Sequence, residues 1–295
     1  MNSNYTAHLK LVGMAILWGA SWPAGKILAQ AAPPFTAAAW RFSLAVVMLL
    51  VWLIVSHKGL PKLSLKQSMG MVLGGAVGVF GYAYFFMAGL NSVAAGRASL
   101  VVTLNPVLTT LFAAWIFGEK FNAKIGAGMV LATCGALIVM THGEPWKLLA
   151  GEVGYGELLL LGCALTWSAY SLIGKVLLQG VPALAAITYT SAAGLALLWI
   201  AAVLFEPATH PLATGFEVKA AVLFLALGAT VLAYVWYFSG IAKLGAGSAA
   251  SYISLVPVFG VLTSTAYLGE ALDSSLLLGG LLAVAGVVLM NRGRG

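Results

Sequence analysis

Charge is what this chain has least of. Asp, Glu, Lys and Arg make up 8% of its 295 residues, against 61% hydrophobic residues. A soluble domain needs roughly 25% charged residues to clothe its surface, so the outer solvent here must be lipid. Cysteine is scarce as well. Cys134 and Cys163 each lie inside an apolar run, far from metal-type spacing. That argues against a disulfide framework and leaves them as small packing residues. No acid falls at the centre of an apolar stretch, and His8, His57, His142 and His210 all read as lying outside those stretches. A buried Ser–His pair is therefore missing, as is a carboxylate or thiol cluster for a metal. An intramembrane enzyme is disfavoured, and no cofactor is expected. There is no P-loop for direct ATP drive and no repeated polar filter for a channel. A signal peptide is not expected either. The first apolar stretch starts near Leu11, is too long and lacks a small-residue cleavage site. The net charge of +7 is informative through its distribution between loops, and no nucleic-acid partner is implied.

What the chain does have is apolar runs of the roughly 20 residues that span a bilayer. Ten are read, at about 9–29, 35–56, 67–88, 95–117, 123–141, 155–177, 182–204, 218–240, 247–268 and 274–291. "GLNSVAAG" and "GIAKLGAG" must then serve as tight turns. An even count puts both termini on one side. With that side cytoplasmic, Lys10, Lys58, Lys62, Lys66, Lys120, Lys124, Lys175, Lys243, Arg292 and Arg294 lie inside. Lys26, Arg97, Lys147 and Lys219 lie at or near the outside, which obeys the positive-inside rule.

The chain also repeats itself. "ILWGASWPAGKIL" at 16–28 resembles "LTWSAYSLIGKVL" at 165–177, pairing Trp18 with Trp167 and Lys26 with Lys175. Residues 88–121 then lie over 239–272 without a gap, at an offset of 151, with Gly89/Gly240, Pro106/Pro257, Gly118/Gly269 and Glu119/Glu270 identical. Two prolines and a Gly-Glu pair in one register are hard to attribute to shared hydrophobicity. Each unit, 1–147 and 148–295, holds five spans. An odd number makes the copies enter the membrane from opposite sides. The expected fold is an all-α integral membrane protein of ten helices, in two inverted five-helix repeats around a central cavity. Solute sites in secondary transporters of this design lie near the midplane between the repeats.

Several residues are candidates for that site. Trp18 and Trp22 share a face of span 1 with Gly25, and Trp167 and Ser171 share one of span 6. Cavity lining and interfacial anchoring are both open for the tryptophans. Pro23, Pro106 and Pro257 cannot donate to the carbonyls of Gly19, Val102 and Ile253, so they should kink or break their helices beside a wet cavity. Thr103 and Ser254 are repeat mates near those breaks, where hydroxyls bind solutes or glue helices together. Tyr82 and Tyr234 each offer apolar area with one polar handle. Lys26 and Lys175 read as structural charges near helix carboxyl ends. Glu119 and Glu270 read as caps or bridges between neighbours.

In its "WG" of span 1, its "AAWRF" at Ala38–Phe42 and its twin "P-V…G-E" segments, the chain resembles the drug/metabolite transporter superfamily and its EamA-type members. Within that group it is most similar to bacterial amino acid exporters, the aromatic amino acid exporter among them. The resemblance implies peripheral spans 5 and 10, alternating access, an inner-membrane location, and export of amino acids or related small metabolites. Multidrug or hydrophobic-cation efflux is the runner-up, although it calls for a membrane carboxylate that no span centre supplies. Arg41 falls on the "RF" position, where structural or gating work is expected at least as often as solute contact. An intramembrane cation is a functional hypothesis in its own right, and snorkelling is the alternative. The partners expected are a small solute and the bilayer. Both a monomer and a homodimer fit.

Overall fold

Ten helices are long and apolar enough to cross a bilayer. They are span 1 (Tyr5–Ala31), span 2 (Pro34–Ser56), span 3 (Leu65–Ser92), span 4 (Ala95–Phe117), span 5 (Ala123–Met140), span 6 (Tyr155–Val176), span 7 (Ala183–Phe205), span 8 (Phe216–Ile241), span 9 (Ser251–Leu268) and span 10 (Ser274–Gly293). The structure, a computed structural model, describes residues 3–57, 60–120, 122–151, 153–177, 180–209, 214–244 and 246–294, so Lys58 and His210 lie outside it. Among the described residues there is no strand. Trp115, Val203, Phe205, Tyr267 and Leu281 stand exposed, as expected of side chains that face lipid.

Local chemistry explains the boundaries. Span 3 opens on a capping box in which the Ser64 hydroxyl accepts from Gln67 N and the Gln67 side chain accepts from Ser64 N. Asn122 caps span 5 by accepting from Ile125 N at 3.0 Å. The twin "GE" motif has a conformational cause. Gly118 and Gly269 end spans 4 and 9 in the left-handed region, at φ 66° and 65°, where a Cβ is disfavoured. Both later prolines break their helices as expected. Span 4 tightens to a 3₁₀ turn at Val102–Leu104 before Pro106, and span 9 turns at residues 254–255 before Pro257.

Three expectations need correction. Pro23 does not interrupt span 1, whose helix runs from Ser3 to Ala31. One missing N–H is a small loss in so long a helix, and Gly19 beside it packs on Phe259 and Gly260 of span 9. His8 does not lie outside the spans. The polar opening "SNYTAHLK" contains no helix breaker, so the helix extends through it and His8 Nδ1 meets Tyr252 Oη at 2.7 Å. Span 3 likewise continues to Ser92, which shortens the expected "GLNSVAAG" turn to Val93 and Ala94.

Small residues set the packing, as they do where no hydrophobic force separates helix from lipid. Gly128 of span 5 abuts Gly286 and Met290 of span 10, and Gly135 abuts Gly279 and Ala283. Since 279 is 128 plus the offset of 151 and 286 is 135 plus 151, the two contacts exchange under the repeat. Other contacts between the halves come in the same swapped pairs. Gly13 faces Trp236 while Gly162 faces Phe85, and Gly240 faces Leu11 while Gly89 faces Leu160. Span 1 therefore packs on span 8, and span 6 on span 3.

Polar ties gather at the end of the bundle where span 1 finishes. Glu206, just after span 7, accepts from Phe35 N at 2.8 Å and Thr36 N at 2.7 Å, capping span 2. Glu270, just after span 9, accepts from Ala95 N at 2.7 Å and Gly96 N at 2.8 Å, capping span 4. Lys26 Nζ donates to the carbonyls of Asn91 and Val93, both at 3.1 Å. It thereby serves the carboxyl end of span 3 rather than its own helix. Arg97, read from sequence as an outer charge, is 6% exposed and pairs with Asp273 at 2.5 Å. It also donates to the Val139 carbonyl and to Ser275 Oγ. Burial raises the Asp273 carboxyl, but hydrogen bonds from Ser275 and Leu276 N and the Arg97 charge outweigh it, leaving the group below its ordinary value. At the opposite end Lys175 pairs with Glu119 and lies 4.5 Å from the Phe117 ring centroid.

Candidate functional site

Spans 3 and 8 each widen into a π-helical turn, at Gly75–Gly81 and Phe224–Leu232, and the two turns end 151 residues apart. Such turns displace the side chains that follow and recur at functional sites. Tyr82 follows the first directly and Tyr234 follows the second by one residue. The widened ladder also offers its carbonyls to neighbours. Trp18 Nε1 donates to Ala229 O at 2.9 Å, and the Thr230 hydroxyl donates to Leu225 O at 2.8 Å, five residues back.

These turns bring most of the predicted aromatics together. Trp18 meets Tyr234 edge-on at 5.3 Å between centroids, and Tyr237 at 5.5 Å. Tyr82 meets Trp167 at 5.5 Å and Phe86 at 6.0 Å. Trp22 packs 4.9 Å from Phe86 and is 3% exposed, so its ring backs the cluster from the core. Trp18, Tyr82, Trp167 and Tyr234 are half-buried. Each of the three predicted hydroxyls makes a hydrogen bond within the protein. Thr103 Oγ1 donates to Leu100 O at 2.6 Å and Ser171 Oγ to Trp167 O at 2.9 Å. Ser254 Oγ accepts from Asn291 Nδ2 of span 10 at 3.3 Å.

The polar group that does reach the aromatics is Arg41. It lies seven residues into span 2, about 10 Å below the helix end at 1.5 Å per residue. It does not snorkel. Its Nη2 donates to Thr230 Oγ1 at 3.3 Å, its guanidinium lies 5.0 Å from the Phe42 ring and 5.9 Å from that of Phe86, and its Nε is buried without a partner. Tyr82, Tyr234 and Cys163 are its electrostatic neighbours. Arg41 thus joins the Tyr82 side of the cluster to the Tyr234 side. Insertion scales put the cost of such a charge at about 3 kcal/mol. Sequence reading noted Arg41 but built the polar half of the site from hydroxyls. The signal that singles Arg41 out was present in the sequence: a lone cation in an apolar run with no acid within a helical turn.

Among the described residues no group of three His, Cys, Asp or Glu side chains could hold a metal ion. Beside the cluster, Leu49, Ile187, Val231 and Phe238 form an apolar recess with Tyr234 on its wall.

The chain matches the model of the EamA-like transporter family twice, over residues 6–141 and 154–292. The chain belongs to the EamA-like transporter family. Its curated relatives are of similar length. An uncharacterized transporter of Bacillus subtilis is 28% identical over 282 residues, covering 95% of this chain and 92% of its own. A probable terminal-alkyne amino-acid exporter of Streptantibioticus cattleyicolor is 27% identical over 293 residues, covering 96% and 92%. A probable amino-acid metabolite efflux pump of Salmonella typhimurium is 25% identical over 283 residues, covering 94% and 91%. A solved crystal structure superposes with a TM-score of 0.66 at 25% identity, covering 97% of this chain and 96% of its own. This EamA-like protein is a multi-pass membrane transporter and not an enzyme.

Proposed function

We propose that this EamA-like transporter exports amino acids and related small metabolites, aromatic ones among them, by alternating access across the bacterial inner membrane. Its two halves are inverted five-span repeats, and both termini are cytoplasmic. The swapped contact pairs and the double family match support the repeat, and the lysine and arginine distribution supports the orientation. The observation that carries the reading is the pair of aromatic contacts, Trp18 with Tyr234 where span 1 crosses span 8 and Tyr82 with Trp167 where span 3 crosses span 6, between which Arg41 lies. Aromatic faces hold the apolar body of an amino acid, and each ring also attracts an ammonium group by about 0.5–2 kcal/mol. Pro106 and Pro257 mark the broken segments about which spans 4 and 9 would bend during exchange.

The test is counterflow in proteoliposomes. Vesicles loaded with unlabelled tryptophan, phenylalanine or leucine should accumulate the labelled form of the same solute. Accumulation of tetraphenylphosphonium with none of any amino acid would overturn the reading in favour of cation efflux.

A further inference from the structure

Among the described residues the cation in the aromatic cluster has no counter-ion, and the same chain shows what a satisfied buried arginine looks like. Arg97 is 6% exposed and engages a carboxylate, a carbonyl and a hydroxyl. Arg41, deeper along its helix, makes one long hydrogen bond to Thr230 among the described residues and leaves Nε unpartnered. The described acids are committed elsewhere. Glu206 and Glu270 cap helices, Glu119 pairs with Lys175, Glu144 with Lys147 and Asp273 with Arg97. Glu157 faces His142 at 3.8 Å, and Glu217 lies in the opening turn of span 8. A guanidinium is a flat fork of donors that matches a carboxylate in two parallel bonds, which an ammonium cannot do. An unpaired one inside a membrane transporter is therefore a site for an anion that arrives and leaves.

We infer that Arg41 receives the carboxylate of the solute, so that the substrate class is carboxylate-bearing and hydrophobic cations are excluded. The inference rests on the proposed reading of the aromatic cluster as the solute site, and it reassigns the polar half of that site. The carboxylate binds the Arg41 edge beside Thr230 and near Tyr82 and Tyr234. The side chain of the solute lies against the rings of Trp18 and Trp167. The bound anion also pairs with the arginine's charge, so the ammonium of the solute is the charge left for the aromatic faces to hold.

The experiment compares tryptophan with tryptophan amide, which keeps the ring and the ammonium but lacks the anion, and with indole-3-acetate, which keeps the anion but lacks the ammonium. Tetraphenylphosphonium completes the panel. Binding is read from the intrinsic tryptophan fluorescence of detergent-purified protein, with the three indole compounds competing against phenylalanine, and transport is read by counterflow. Wild-type protein should favour tryptophan over its amide by roughly 10- to 100-fold, as losing a charged hydrogen-bond partner implies. Arg41→Gln should lose that discrimination by weakening the acid and sparing the amide, and Arg41→Lys should retain part of it. A wild-type protein that takes acid and amide equally would overturn the inference without any variant, as would one that takes only the cation. So would a folded Arg41→Gln that keeps the preference. Uptake of indole-3-acetate with refusal of every amino acid would leave Arg41 in its role and overturn the proposed function instead.

Discussion

Glu270 ties the chain after span 9 to the start of span 4, and its removal has a size that follows from its geometry. Its two oxygens accept from Ala95 N and Gly96 N at 2.7 and 2.8 Å, so a group following span 9 holds the start of span 4. Hydrogen bonds to charged groups contribute about 1.5–3 kcal/mol each, and a carboxylate at a helix amino end adds about 0.3–1 kcal/mol. Glutamine keeps one acceptor but turns an amide N–H toward the second backbone N–H. Allowing for the half-exposed site, Glu270→Gln should cost about 1.5–3 kcal/mol. If the tie forms only when this end is closed, the closed-to-open ratio falls by roughly 10- to 100-fold. Val93 reports on that closure, being 4% exposed at the end of span 3 and held through its carbonyl by Lys26. A cysteine at Val93, in a Cys134→Ser background, should react with an impermeant maleimide at least about tenfold faster once Glu270→Gln is added. Equal rates with and without the Glu270 change, in protein that is folded, would refute the idea that this cap closes the end.

The remaining predictions concern stability, topology and the site. Asp273→Asn should lower the melting temperature by removing the partner of Arg97. Because the folded Asp273 carboxyl lies below its ordinary value, its contribution is fully present above the unfolded pKa of about 3.9 and fades as the pH falls through the folded value. The difference from wild type should thus be level between about pH 5 and pH 8 and close below about pH 4. A difference that grows on acidification would contradict the pairing. In intact cells, a cysteine at Lys147 should be labelled from outside and one at Lys62 should not, and the reverse pattern would refute the orientation. Trp167→Ala should weaken solute binding by roughly 1–3 kcal/mol, the burial energy of a large side chain, while the exposed Trp146→Ala leaves it unchanged. Wild-type affinity in Trp167→Ala would remove this ring from the site.

The span count was legible because lipid demands long apolar helices, and the prolines and the Gly-Glu pairs marked helix breaks and ends through backbone constraints that those residues meet best. The aromatic contacts were partly legible too, since Trp18 and Trp167 fall on matching faces of spans 1 and 6 and each meets a tyrosine. What was not legible depends on contacts between helices. Whether Thr103 or Ser254 points at a solute is decided by a neighbouring carbonyl or by Asn291, and no periodicity reports that. The π-helical turns that aim Tyr82 and Tyr234 have no sequence signal beyond the glycines of "GGAVGVFG". Arg97 looked like a loop charge because its partners, Val139 and Asp273, are 42 and 176 residues away.

Alternation of the two ends is tested most directly by paired spin-label distances in reconstituted protein. Labels at Asn91 and Glu217 mark spans 3 and 8 at the end where Glu270 caps span 4, and labels at Leu65 and Lys243 mark the same spans at the other. Adding a solute that passes the counterflow test should lengthen one distance as it shortens the other, within a single labelled preparation of each pair. Two distances that stay fixed, or that lengthen together, would contradict a carrier whose inverted halves exchange their conformations.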